Sequence, residues 1–400
     1  MRILHVVPTY LPAVRYGGPI FAVHSLCRAL VSRGHEVEVY TTNLDGPNNI
    51  PGISGATVNL DSVLVRYFSS KFLRRLSWAP PLAQALREKI GSFDVVHIHT
   101  VFLWPTWVAA RTARRAQVPY LISPRGMLVK ELIARRNRFI KSAWLKLIER
   151  STFEQAAAIH VTSELEAKEL SRFEWQLPKV VSVSNGVEDP ETTSKAVLSK
   201  DVEKLVDGPP YVLFLGRLSW KKGLDRLLNA FALTSHAKLV IAGNDEEGLV
   251  PRLLQMVDDL KIGGRVHFLS RTILGADKEH LFAGAQIFIL PSYSENLGNT
   301  VLEAMRRGLP VVVTHEVGAA EIVKEANGGI VVSGDANQLS EAISRLSENL
   351  ALAQAMGKVG QRYVLEHYGW PHVAAQMEAL YESLINDTKT KSPCSIKSLH

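Results

Sequence analysis

Short, nearly continuous apolar runs alternate along the first half of the chain with longer stretches whose apolar positions recur every three to four residues. The short runs suit strands buried on both faces, and the 3.6-residue period suits helices laid against them. The pattern predicts strands at residues 2–7, 35–40, 94–99, 118–123, 157–161 and 179–183, with a first helix over 21–32. Such alternation builds βαβ units and hence a doubly wound parallel sheet.

Polarity then rises through Val187-Glu-Asp-Pro-Glu-Thr-Thr-Ser-Lys195, a loop by its composition. The alternation restarts, with strands predicted at 211–215, 237–242, 265–269, 286–290 and 311–313 and helical periods over 339–365 and 372–384. A chain of 400 residues exceeds what one hydrophobic core organises. The expected architecture is α/β, with two Rossmann-like, doubly wound parallel-sheet domains facing across a cleft. They would span 1–190 and 209–368, joined by a linker at 191–208. A closing helix at 369–385 would pack back on the N-terminal domain, and the polar tail 386–400 is expected to be disordered. Ligands of such sheets bind beyond the carboxyl ends of the strands.

Composition narrows the class. The chain is 46% hydrophobic and 21% charged, with 27 glycines and 19 prolines, as in a globular protein. Its two cysteines, Cys27 in an apolar helical pattern and Cys394 in the polar tail, cannot form a disulfide framework or a thiolate metal site. The opening Met1-Arg-Ile-Leu-His-Val-Val-Pro8 is too short for a signal peptide, and no apolar stretch reaches the ~18 residues of a membrane span. A cytoplasmic protein is expected.

The net charge of +7 concentrates in Lys71-Phe-Leu-Arg-Arg-Leu-Ser-Trp78 and in residues 130–150. No nucleic-acid reader motif accompanies it, so nucleic acid is not an expected partner. Arg135, Arg136, Arg138 and Lys141, set among Phe139, Ile140, Trp144, Leu145 and Leu147, fit an interfacial helix at an anionic membrane face. They fit equally a helix packed on the sheet with an ordinary basic outer side.

The chemistry-bearing segments lie at predicted strand ends. Pro291-Ser-Tyr-Ser-Glu-Asn-Leu-Gly-Asn-Thr-Val-Leu-Glu303 follows a strand, and Gly298 allows a helix to begin near Asn299. The free amides of Gly298, Asn299 and Thr300 and the positive helix end would suit a diphosphate, with Glu295 and Glu303 on either side to accept hydroxyl hydrogen bonds. Arg217, Lys221 and Lys222, in Gly216-Arg-Leu-Ser-Trp-Lys-Lys-Gly223, follow another strand. Lys221 reads as a solvated helix start, whereas Arg217 and Lys222 suit an anion.

These three features in order, the glutamate pair, Gly216-Arg-Leu-Ser-Trp-Lys-Lys-Gly223 and Ser184-Asn-Gly-Val187, make nearly the whole chain resemble the family 4 glycosyltransferases of the B-type fold. The resemblance implies a retaining, metal-independent transfer of a hexosyl-type sugar from a nucleoside-diphosphate sugar to a carbohydrate or lipid-linked acceptor, in polysaccharide or glycolipid assembly. It implies no cofactor, an N-terminal domain that binds acceptor and a C-terminal domain that binds donor. Arg217 and Lys222 would meet the diphosphate, Glu303 the ribose and Glu295 the transferred sugar, with Gly17 and Gly18 bringing backbone to the phosphates. Those glycines also suit a tight turn. Leu297 stands where the family often has an aromatic. Arg125, in Ile122-Ser-Pro-Arg-Gly-Met127, stands where many members have a histidine; arginine is no base at neutral pH, so binding an acceptor phosphate or assisting the leaving diphosphate fits it better. His97 and His99 share one strand face and are candidates for acid–base work or for a structural role. Two rivals remain at this point, a nucleotide-sugar epimerase of the same plan and a non-catalytic two-lobed sugar-binding protein.

Overall fold

The computed structural model describes residues 1–13, 17–53, 55–135, 138–189, 198–235 and 237–391. Contacts divide the chain into two compact units, one of Met1–Gly186 with the segment from Trp370 onward and one of Val187–Gly369. Each holds a sheet with helices on both faces.

The first unit has an eight-stranded sheet. Its strands are β1 (Arg2–Val6), β2 (Glu36–Thr42), β3 (Thr57–Leu60), β4 (Val63–Phe68), β5 (Val95–His99), β6 (Tyr120–Ser123), β7 (Ala158–Val161) and β8 (Val180–Ser182). Their order is β8-β7-β6-β5-β1-β2-β4-β3, parallel except for β3 against β4. The sequence pattern misses β3 and β4 because their burial alternates or stays partial, unlike the continuous burial of β5 and β6.

Parallel register places His5 beside His97 and His99 beside Ser123. Strand alternation then puts His5, His97, His99, Ser123 and His160 on one face. That face packs on the helices Gly18–Ser32 and Trp370–Lys391, through a core that includes Ile3, Cys27, Leu121, Met377 and Tyr381. The other face carries Leu4, Val6, Val96, Ile98, Ile122 and Ile159 into a separate core.

The second unit holds β9 (Tyr211–Leu215), β10 (Leu239–Ala242), β11 (Val266–Leu269), β12 (Ala285–Leu290), β13 (Val311–Thr314) and β14 (Gly329–Val332), all parallel, in the order β11-β10-β9-β12-β13-β14. The chain moves outward from β9 on one side and returns to start again on the other. The order therefore reverses between β9 and β12, where the two following loops leave in opposite directions and open a crevice.

Three expectations are corrected. The segment 191–208 is not all linker: Lys200–Val206 is a helix, because Val202 is fully buried in the second core and Ser199 and Asp201 bond to Asp277 and Arg271. Residues 190–197 lie outside the described residues. The periodic stretch 339–365 is two helices, Ala336–Glu348 and Leu350–His367, parted by Asn349, whose side chain caps the second through Leu352 N–H. The tail is helical as far as Lys391, with Thr388 and Thr390 hydroxyls donating to the Leu384 and Asn386 carbonyls; 392–400 lie outside the described residues. Among the described residues no helix is long and apolar enough to cross a membrane.

Candidate functional site

Three loops meet at the carboxyl ends of β9, β12 and β13. The loop after β9 runs through a 3-10 turn, Trp220–Lys222, and turns at Gly223 into the helix Leu224–Ala232. Gly223 has φ +64°, and a Cβ there would stand 2.0 Å from the Pro291 carbonyl oxygen, so only glycine lets the first loop lie against the second. Tyr293 N–H donates to the Lys221 carbonyl at 2.7 Å, and the Tyr293 hydroxyl donates to Asp225 at 2.8 Å. Arg226 stacks on the Tyr293 ring, 3.6 Å from its centroid. The third loop holds Glu295 by its backbone: Glu295 N–H donates to the Glu316 carbonyl and Gly318 N–H to the Glu295 carbonyl, both at 3.0 Å.

This framework sets the predicted residues. Lys222 Nζ donates to the Glu295 carboxylate in a mostly buried ion pair. Gly298, at φ +87°, starts the helix Asn299–Arg306, with Asn299 and Thr300 in its first turn. Glu303, one turn in, pairs with Lys278 at 2.7 Å. Arg217 leans away to Glu246 at 3.2 Å and is half exposed. Leu297 is buried in the core and its carbonyl accepts from Ala319 N–H, so its side chain does not face the crevice. Lys221 is no solvated helix start: it is partly buried, and burial pulls its ammonium below the usual lysine range. Asp245 caps the helix Val250–Asp259 through Leu249 and Val250 N–H, while Glu247 accepts from Trp220 N–H at 3.0 Å. The neighbours of these residues come from three places in the chain: Glu246 and Glu247 from the loop after β10, Lys278 from the helix before β12 and Tyr293 from the loop after that strand.

In the first unit Gly17 precedes the helix Gly18–Ser32, of which Gly18 is the first residue; Tyr16 lies outside the described residues. The histidines form a hydrogen-bonded layer whose protonation follows from its ends. His160 Nε2 can only donate to the Val183 carbonyl, at 2.8 Å. Its Nδ1 therefore accepts from Ser123 Oγ, which accepts in turn from His97 Nε2, both at 2.7 Å, and His97 Nδ1 accepts from the Tyr381 hydroxyl at 2.8 Å. A second chain starts at Arg125, which donates to His99 Nδ1 at 3.2 Å; His99 Nε2 then donates to His5 Nδ1 at 2.9 Å. His5 Nε2–H ends that chain buried and without a partner among the described residues.

Every ring is neutral in this arrangement. Burial first, and the Arg125 charge second, push His5 and His160 down to about 3. His97 and His99 lie well below the ordinary histidine value, burial again being the main cause. Nitrogens of His5, His97 and His99 fall within 4.8 Å of one another, a spacing that a metal could use. Both nitrogens of His97 and of His99 are already engaged, and a guanidinium lies beside His99, so the cluster is built as a hydrogen-bond layer.

Arg125, at φ +55°, also donates to Asn185 at 2.8 Å, and its buried Nε–H has no partner among the described residues. Glu166 fixes its loop, accepting from Gly126 N–H at 2.6 Å and Thr162 N–H at 2.8 Å. Ser163-Glu-Leu-Glu166 spells a capping box, which was the available signal for that residue.

The basic segment splits its apolar residues. Trp144 Nε1 donates to buried Glu149 and Leu145 packs on the core, while Phe139 and Leu147 are exposed and Lys141 lies over the Phe102 ring. Arg136 and the side chains of Arg135, Arg138 and Ile140 lie outside the described residues.

Residues 198–363 match the family described as Glycosyl transferases group 1, and residues 17–186 match the Glycosyl transferase 4-like domain. An uncharacterized glycosyltransferase of Methanocaldococcus jannaschii is 28% identical over 96% of this chain and 98% of its own. A D-inositol 3-phosphate glycosyltransferase of Mycobacterium marinum is 28% identical over 90% of this chain and 79% of its own. The fold is shared with Anabaena HepE, solved in complex with UDP and glucose, at a TM-score of 0.72 and 20% identity over 96% of this chain and 100% of that one.

Proposed function

The chain belongs to the group 1 glycosyltransferases, of the B-type fold, and from that premise we propose that it moves a hexosyl group from a nucleoside-diphosphate sugar to an acceptor hydroxyl with retention of configuration. The observation that carries this reading is the crevice between β9 and β12, which gathers Lys222, Glu295, Glu303 and a helix start at one strand-end site. Arg217 and Lys222 would neutralise the diphosphate, and the first amides of the helix Asn299–Arg306 would add donors and dipole. Glu303 would accept from the ribose hydroxyls and Glu295 from the sugar.

Both carboxylates are paired with lysines, which suits recognition more than nucleophilic attack. The proposed step is therefore front-face displacement: the acceptor oxygen bonds to the anomeric carbon as its bond to the diphosphate breaks, and the acceptor proton passes to the leaving phosphate. Positioning and charge neutralisation by Arg217 and Lys222 supply the rate, with no metal required. UDP-glucose is the first donor to test, given what HepE holds. Arg125, with a spare buried donor, would bind an anionic group of the acceptor, as the inositol 3-phosphate of the mycobacterial relative's name suggests. Acceptors of polysaccharide or glycolipid assembly, with peripheral contact at an anionic membrane face, complete the reading.

A thermal-shift screen across UDP-, GDP-, ADP- and dTDP-sugars tests it, since a ligand at 100 times its Kd stabilises by about 2.7 kcal/mol. One nucleotide should shift the transition with EDTA present, and anomeric NMR of the product should show retention. No shift with any of them refutes the donor site, and rapid turnover of the nucleotide sugar alone would make the protein an epimerase.

A further inference from the structure

A groove of about 220 Å³ runs in the first unit between the helix Trp104–Arg115 and the helical segment around residues 145–152. Trp107, Arg111 and Arg114 line one side at helical spacing, and Leu147, Ile148 and Ser151 line the other. Among the described residues no acidic one lines it. Arg111 and Arg114 are exposed, Arg111 stacks on the Trp107 ring at 5.5 Å, and Arg114 donates to Gln155.

The second wall is distorted in a way that serves the groove. Leu145–Glu149 is a π-helix turn, a rare conformation that is frequent at functional sites. It turns Glu149 inward, where the carboxylate accepts from Trp144 Nε1 at 2.8 Å and Phe102 N–H at 2.6 Å, and leaves Leu147 outward at 79% exposure. Phe139 (86% exposed), Ala143 and Leu147 thus make an apolar stripe in water, flanked by exposed Lys146 and Arg150. Beyond the inward-turned Glu149, the acid nearest to the stripe along the chain is Glu154, which is paired with Arg150 at 2.9 Å.

We propose that this groove docks an anionic phospholipid of a bilayer, with the phosphate between Arg111 and Arg114 and an acyl chain along Trp107 and Leu147. Charge selects the occupant: two guanidiniums suit a phosphate bidentately, and an exposed apolar stripe beside them suits the hydrocarbon beneath it. The site deepens the peripheral-contact reading and rests on it.

The full-length protein is floated with vesicles of phosphatidylcholine alone and with 30% phosphatidylglycerol, at low and high salt. Binding should require the anionic lipid, weaken with salt, and fall at least tenfold in R111E/R114E and several-fold in L147S. Both variants should keep the nucleotide-sugar thermal shift, since the proposed donor residues Lys222, Glu295 and Glu303 all belong to the second unit. Absence of flotation by the unaltered chain overturns membrane contact altogether, whereas undiminished flotation of R111E/R114E overturns the groove alone. Self-association that R111E/R114E abolishes, without vesicle binding, would put a second copy in the groove and equally overturn the proposal.

Discussion

Mild acid should unfold the first unit before the second. His5, His97, His99 and His160 are buried and neutral, each in a hydrogen-bond chain that fixes its tautomer. In the unfolded chain each titrates near 6.5. Because the folded values are lowered, the unfolded state binds more protons below that pH, so this stability is whole above 6.5 and drains as pH falls toward the folded values. Moving from pH 7.5 to 5.5 costs about 1.4 kcal/mol per ring, or about 5.5 kcal/mol for the four rings of the layer. That figure requires only that the folded rings stay neutral at pH 5.5. It is comparable to the whole stability of a modest domain, 5–15 kcal/mol.

Hydrogen exchange read by peptide is the assay, because it resolves the two units. Amides of β1, β5 and β7 should lose protection by orders of magnitude between those pH values, after correction for intrinsic exchange. Those of β12 and β13 should change little, since no described histidine of the second unit is buried. Equal protection of β5 at both pH values would refute the neutral-layer account.

Three further outcomes follow from single contacts. Ser123→Ala strands His97 Nε2–H and His160 Nδ1 without partners, so thermal melts should show a loss of about 1–3 kcal/mol for each orphan. Gly223→Ala sets a Cβ 2.0 Å from the Pro291 oxygen at positive φ; calorimetry should record a loss of about 3 kcal/mol or more in the second unit, and an unchanged transition would sink the close-approach argument. Glu303→Ala should weaken nucleotide-sugar binding about tenfold to a hundredfold by titration calorimetry, the worth of a hydrogen bond to a charged group. Unchanged affinity would remove Glu303 from the ribose.

The parallel strands were legible because burial on both faces leaves continuous apolar runs, as at Ile287–Leu290 and Val311–Val313. Partly covered strands carry no such run, which is why Val63–Phe68 and Gly329–Val332 escaped the pattern. The helix start at Gly298 was legible because a glycine at a strand end marks a turn. The histidine layer was half legible: alternation pairs His97 with His99, but His5, Ser123 and His160 join them only through strand order, and Tyr381 only through a helix almost three hundred residues away. Strand order is non-local, and no periodicity encodes it.

That non-locality decides what the two glutamates can be. Spacing alone makes Glu295 and Glu303 a pair and invites comparison with the paired carboxylates of glycoside hydrolysis. The fold separates them by a helix start and gives each its own cation from another crossover: Lys222 from the loop after β9, and Lys278 from the helix before β12. Two carboxylates acting as acid and base must hold different protonation states at one pH, which their surroundings achieve by pushing their affinities for protons apart. Here both carboxylates have the same kind of partner, a lysine ammonium. Anions beside ammonium groups accept hydrogen bonds from hydroxyls well and donate none. On the proposed reading the crevice recognises a polyhydroxyl diphosphate, and the proton that the reaction moves would be carried by the diphosphate rather than by either glutamate.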